Sequence, residues 1–206
     1  MSSSESATER RYGGVAPDVR REQRRVRLVQ AAVDLVGEEG VLGLTVGGVC
    51  QRAGLSKRYF YEGFDSLDSL VGVALRTVFD TVAAAIDAAG VDMSSSADEL
   101  VDVAVRAALD ALDDPRASRL YLEAGSTPAG LAEKDRATQS FVDQMLALVV
   151  DEPADPDAQL LGHLVVAGVT HVVTLWLRGE LEVDRTHLVR RLTEVGLLAA
   201  HQLRRS

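Results

Sequence analysis

Between Thr45 and Phe64 the chain reads TVGGVCQRAGLSKRYFYEGF, and Ser56, Lys57, Arg58, Tyr59 and Tyr61 fall within six residues of it. These side chains offer hydroxyl, ammonium and guanidinium donors beside two aromatic rings, the chemistry that contacts phosphate oxygens and base edges. Upstream, Arg20, Arg21, Arg24, Arg25 and Arg27 crowd the first turns of a helical stretch. Cations at that end oppose the helix dipole, which favours anions there. A nucleic-acid phosphate is one compensating partner; a solvated face with pairs to Asp18 and Glu22 is the other reading.

A second group sits in the latter half. Tyr121, Phe141, Met145 and Trp176 are bulky apolar or aromatic side chains, and Thr170, His163 and His171 add polar groups on one long apolar run. Such residues either line a ligand cavity, which is mainly apolar with few polar groups, or form plain core. His163 and His171 stand eight apart, whereas a metal site on a helix wants histidines at four-residue spacing with further ligands. Packed or hydrogen-bonding histidines are the expectation, and neither a metal nor a cofactor is. No phosphate-cradling glycine loop, nucleophile elbow or metal-protease motif occurs, and the acidic pairs Glu38-Glu39 and Asp113-Asp114 lie at helix ends. An enzyme is therefore not expected.

The elements that position these residues are helices throughout. Ala, Val and Leu dominate a chain that is 47% hydrophobic and 4% aromatic, with five prolines, a globular rather than disordered composition. Val26, Val29, Val33 and Val36, with Leu28, Ala32 and Leu35 beside them, set a helical period over 19–39. Thr45 is placed to cap a short helix over 46–52, the glycine of Ala53-Gly54-Leu55 to make a tight turn, and Ser56 to cap a third helix over 57–62. A fourth spans about 66–89. Five more are predicted over 97–112, 115–124, 130–150, 156–178 and 184–203, separated by proline- and glycine-bearing stops. Residues 1–16 read as a disordered arm, 17–66 as a head and 67–206 as a body.

Charge divides the same way. Through Phe64 there are 10 basic and 8 acidic residues, and beyond it 12 and 23. A chain of this asymmetry touches a polyanion with one end only. Cys50 is the single cysteine, which excludes an intrachain disulfide framework and suits a small core side chain. Leu160–Leu177 is 18 residues without a formal charge, short of the roughly 20 a membrane span needs. Its histidines and threonines favour a helix buried on most sides of a bundle or dimer, and no secretory signal opens the sequence.

Two short helices joined by a glycine-bearing turn have the dimensions of a helix-turn-helix. Residues 26–76, through Ala31-Ala32, Leu35, Gly40, Leu44-Thr45-Val46, Val49, Ala53-Gly54-Leu55-Ser56, Tyr61, Phe64 and Leu70, resemble the DNA-binding domain of the TetR family of transcriptional repressors. The resemblance covers about a quarter of the chain; the remainder matches in length and helical content. It implies an all-α protein whose Thr45, Ser56, Lys57, Arg58, Tyr59 and Tyr61 contact DNA, with Arg24 and Arg27 as further phosphate or minor-groove contacts. It also implies a cytoplasmic homodimer paired through its last two helices, where Gly162, Ala167 and Gly168 permit close approach. Such a dimer reads a near-palindromic operator and is released by a small molecule. One departure stands out: Leu67 occupies the position where the family usually has a phosphate-binding lysine, flanked by Asp65 and Asp68. The competing reading is a ligand-binding or enzymatic helical protein whose motif no longer reads DNA.

Overall fold

In the computed structural model, residues 17–89, 97–150 and 155–203 are described. The expected arm over 1–16 and the serine run of 94–96 lie outside them. Nine α-helices and two 3-10 turns make up the described residues, with no strand among them. They are α1 (Pro17–Glu39), α2 (Val46–Ala53), α3 (Lys57–Gly63), α4 (Leu67–Ala88), α5 (Ala97–Ala111), α6 (Pro115–Glu123), α7 (Pro128–Val149), α8 (Pro156–Leu177) and α9 (Arg185–Leu203). The 3-10 turns are Val41–Gly43 and Ala124–Ser126.

Local chemistry explains the boundaries. Thr45 accepts from the Gly48 amide, Asp114 from Arg116, Thr127 from Gly130 and Asp155 from Ala158, each satisfying an otherwise orphaned amide of a first turn. Prolines 115, 128 and 156 follow those last three caps, where a missing N–H costs nothing. The predicted start of α7 at Gly130 is thus two residues late, because Pro128 opens the helix rather than closing the stop. Ser66 and Ser69 form a reciprocal capping box at α4.

Leu28, Ala32 and Leu35 line the buried stripe of α1, and one apolar cluster runs from them through Val49, Phe60, Leu70, Leu75 and Leu120 to Leu192. Val26, expected on that stripe, is 58% exposed. The stripe projects one turn back onto Arg25, whose guanidinium covers the Phe64 ring 4.4 Å from its centroid. A smaller cluster of Val142, Leu146, Ala158, Ala200 and Leu203 joins α7, α8 and α9.

Two helices, α4 and α8, are long and apolar enough to cross a membrane by length and composition. The helix α4 packs Leu70, Val71, Ala74, Leu75, Val78 and Val82 into the core. In contrast α8 buries only Ala158, Gly162 and Val173. The expectation of a helix buried on most sides is not met within one chain. Leu160 and Leu164 are each 62% exposed, and Val195 and Leu198 continue the apolar face on α9.

Candidate nucleic-acid interface and interior cavity

The short helices α2 and α3 are joined by Gly54, whose φ of 62° is the left-handed conformation that glycine adopts without steric cost. Val49, Cys50 and Ala53 from α2 and Phe60 from α3 are buried where these helices pack on α1, and burial pushes the Cys50 thiol pKa up. With those side chains inside, α3 turns its other face outward. Ser56, Lys57, Arg58, Tyr59 and Tyr61 are all exposed. Tyr61 keeps an edge-on contact with the Phe60 ring at 5.3 Å. Ser56 makes no side-chain cap bond to α3, contrary to the expected cap role; its hydroxyl stands at the helix start beside Lys57.

Arg21, Arg24, Arg25 and Arg27 of α1 are compensated from within the chain. Arg21 donates to the Glu62 carbonyl (2.8 Å), Arg25 to the Gly63 carbonyl (2.7 Å) and Arg27 to the Ala53 carbonyl (2.5 Å). These carbonyls are the negative ends of α3 and α2, so the cations satisfy groups that helix termini leave unpaired. Arg24 lies over the Tyr59 ring at 4.5 Å and 3.7 Å from the Glu62 carboxylate, which also holds Arg58 at 3.0 Å. Arg24 and Arg27, expected to bind DNA, therefore have intramolecular partners that order the outward-facing helices. The pairs to Asp18 and Glu22 are not the ones that form.

The acidic start of α4 also has a structural use. Asp68 accepts from the Ala129 amide at 3.0 Å, capping the first turn of α7, so it is not a free repelling charge. Asp65 remains exposed, and Leu67 packs against the core.

Behind the short helices, α4 to α9 line a cavity of about 240 Å³. Its wall includes Phe79, Val82, Val105, Val166, Val169 and Val173, together with Tyr121, Phe141, Met145 and Thr170 from the expected set. The Phe79 ring stacks edge-on between Tyr121 (6.3 Å) and Phe141 (6.5 Å). Tyr121 donates to the Thr170 carbonyl at 3.4 Å, and burial raises its phenol pKa. The Thr170 hydroxyl donates to the Val166 carbonyl.

Three expected cavity residues fall elsewhere. The cavity face of α8 is set by Val166, Val169, Thr170 and Val173; at about 100° per residue His171 rotates off it, while His163 stands at its edge a turn before Val166 and outside the lining. His171 is exposed and His163 half-buried. Trp176 shares that face but lies beyond the cavity, its indole N–H donating to the Val183 carbonyl at 2.9 Å and tying the end of α8 to the following turn. Sequence reasoning missed Lys134, Thr138 and Gln144, which contribute polar groups to the lining. Their signal was legible in part: Lys134, Thr138, Phe141 and Met145 recur at helical spacing on α7. Among the described residues no group of three or more His, Cys, Asp or Glu is placed to hold a metal ion.

Three polar contacts tie α1 and the 3-10 turn after it to α6. Glu123 accepts from the Val41 amide at 2.8 Å, and Arg119 donates to the Gly37 carbonyl at 3.1 Å. Arg116 reaches Asp34 at 2.7 Å. A separate joint links α4 to α7: Glu133, 6% exposed, receives Arg76 at 2.8 and 2.9 Å and also pairs with Arg136. Burial disfavours the Glu133 carboxylate, but the two guanidiniums outweigh it and hold its pKa below the ordinary value.

An all-helical chain with an exposed helix-turn-helix at one end and an apolar cavity in the helices behind it defines a class of protein, and solved structures place it. No family sequence profile matches the chain, and no curated protein does. The multidrug binding protein EbrR, solved with imidazole, superposes with a TM-score of 0.65 at 26% identity over 89% of this chain and 95% of its own. The fatty acid degradation regulator FadR of Bacillus halodurans gives 0.69 at 15% identity over 89% and 96%. A putative TetR-family regulator from Rhodococcus sp. gives 0.67 at 19% over 87% and 99%. The fold is that of the TetR-family transcriptional regulators.

Proposed function

We propose that the chain is a sequence-specific, DNA-binding transcriptional regulator, a repressor whose hold on its operator is relieved by a small molecule. The observation carrying this reading is the outward face of α3, where Lys57, Arg58, Tyr59 and Tyr61 stand exposed on a helix of major-groove width. Lys57 and Arg58 read base edges, with Ser56 and Tyr59 beside them in the groove; Thr45 and Tyr61 hold phosphates. Arg24 and Arg27 act as positioning residues, through the helices whose ends they hold. Because Arg58 already pairs with Glu62, that pair exchanges for a base or phosphate on docking.

Residues 17–66 serve as the head and 67–206 as the body. A ligand in the cavity displaces α7 and, through Glu133–Arg76 and Asp68–Ala129, the start of α4. Its effect on DNA affinity equals its differential affinity for the two head positions.

Two copies pair through the exposed apolar face of α8 and α9, and Gly168, with open space where a Cβ would stand, admits a close approach. Gly162 has another use: a Cβ there would meet Val142 at 3.0 Å, so it serves α7–α8 packing inside the chain. The dimer presents two α3 helices to successive grooves of a near-palindrome, and acts in the cytoplasm.

Selection of bound duplexes from a random pool, followed by gel shift with Arg58→Ala and Tyr59→Ala, tests the reading. The wild type should enrich a near-palindrome with affinity falling steeply as salt rises, and both variants should lose the sequence preference. Flat, negligible binding by the wild type would instead favour a ligand-binding protein with a degenerate motif.

A further inference from the structure

The cavity has a polarity that its apolar walls conceal. Lys134 is one of two lysines in a chain with 20 arginines, and it projects from α7 into this lining. Its amine nitrogen lies 4.5 Å from the centroid of the Tyr121 ring and 3.5 Å from where a Cβ on Gly125 would stand. The charge therefore sits beside the 3-10 turn Ala124–Ser126 and the Tyr121 ring, while Phe79, Val82, Phe141 and Val166 supply apolar wall, Phe141 two turns further along α7.

No Asp or Glu belongs to the lining, and no ion pair of Lys134 occurs among the described residues. The charged neighbour that acts on it is a second cation, Arg178, and burial together with that repulsion pulls the ammonium pKa below its ordinary value. The face of Tyr121 compensates part of the charge, but a half-buried ammonium among apolar walls stays costly until an anion meets it. A lysine rather than an arginine supplies a compact point charge able to follow one carboxylate oxygen. Thr138, one turn further along α7, adds a hydroxyl on the same wall.

We infer that the cavity takes a hydrophobic monocarboxylate, its carboxylate paired with Lys134 at the Tyr121 end and its hydrocarbon along Phe79, Val82, Phe141 and Val166. This rests on the cavity's being the effector site proposed above. It also separates this chain from binders of lipophilic cations, which the Lys134 ammonium repels.

Calorimetry on the full chain with decanoate and decyltrimethylammonium below their micellar concentrations, and decanol below its solubility limit, tests the inference without DNA. Decanoate should bind about ten- to a hundredfold more tightly than decanol, and decyltrimethylammonium most weakly. In Lys134→Met the decanoate advantage should vanish while decanol affinity is kept, which also certifies an intact cavity; Lys134→Arg should retain part of the advantage. Preference for the cation, unchanged decanoate affinity in Lys134→Met, or binding of none of the three would overturn it. A parallel gel shift separates the two readings. Lys134-dependent decanoate binding without operator binding upholds the ligand class and removes the regulator; operator binding without decanoate binding does the reverse.

Discussion

Arg25 and Arg27 show how a residue type admits two readings until its neighbours are known. Their cationic heads end on the Gly63 and Ala53 carbonyls, closing α3 and α2 onto α1. Hydrogen bonds of this charge-assisted kind contribute roughly 1–2 kcal/mol when partly shielded. Arg27→Met should therefore lower the denaturation free energy by about that amount, read as a shift in the urea midpoint with an unchanged slope. Its operator affinity should fall without a change in the number of ions released, since the lost contact is internal. An altered salt slope with native stability would instead show that Arg27 meets phosphate directly. For Thr45, whose hydroxyl holds the Gly48 amide, Ala should cost about 1 kcal/mol and Ser almost nothing.

At the scale of elements, the joints between helices matter more than the helices. The α4–α7 joint is a carboxylate buried under two guanidiniums, and removing such a partner costs more than making the pair contributes. Glu133→Gln should destabilise the protein by about 1–3 kcal/mol, discounted because both arginines are half-exposed. The pH dependence follows from its direction. A carboxyl whose folded pKa lies below its ordinary 4.5 adds stability above that value, and this is lost as pH falls through the folded pKa. Thermal unfolding from pH 7 to pH 3 should show a steeper acid-side loss in the wild type than in Glu133→Gln. Transmission through the α6 joint is read from Glu123→Ala, which frees the Val41 amide. It should leave operator affinity within a fewfold of wild type while reducing its response to a cavity ligand. An intact response would assign transmission to α4 alone.

For the whole molecule, the open question of assembly turns on one apolar face. Leu160, Leu164, Val195 and Leu198 are each at least half exposed and lie on adjoining helices at helical spacing. A monomer seldom leaves so continuous a patch in water, and burial of each leucine contributes on the order of 1.5–3 kcal/mol. The double variant Leu164→Glu, Leu198→Glu should sediment as a monomer with native circular dichroism, and lose palindrome binding far more than half-site binding. A wild type that sediments as a monomer at micromolar concentration would end the dimer reading. Charge acts at the same scale. The acidic excess beyond Phe64 repels phosphate, which favours approach of a duplex from the α3 end in the proposed reading.

The helices and their ends were legible in the sequence because period, cap and proline are relations within a few residues. Thr45, Asp114, Asp155 and Gly54 act on neighbours two to four positions away. The exposed run of α3 was legible for the same reason: placing Phe60 inward places Arg58, Tyr59 and Tyr61 outward, and Lys57 is exposed at the helix start. What needed the tertiary structure was every role decided across the chain. Arg21 meets a carbonyl 41 residues away, Asp68 an amide 61 away and Glu123 an amide 82 away. The same holds for the cavity, where helical phase leaves His171 in solvent and the lengths of α7 and α8 carry Lys134 in and Trp176 past its end. A local pattern states which face a residue occupies; only the packing of helices distant in sequence determines what that face meets.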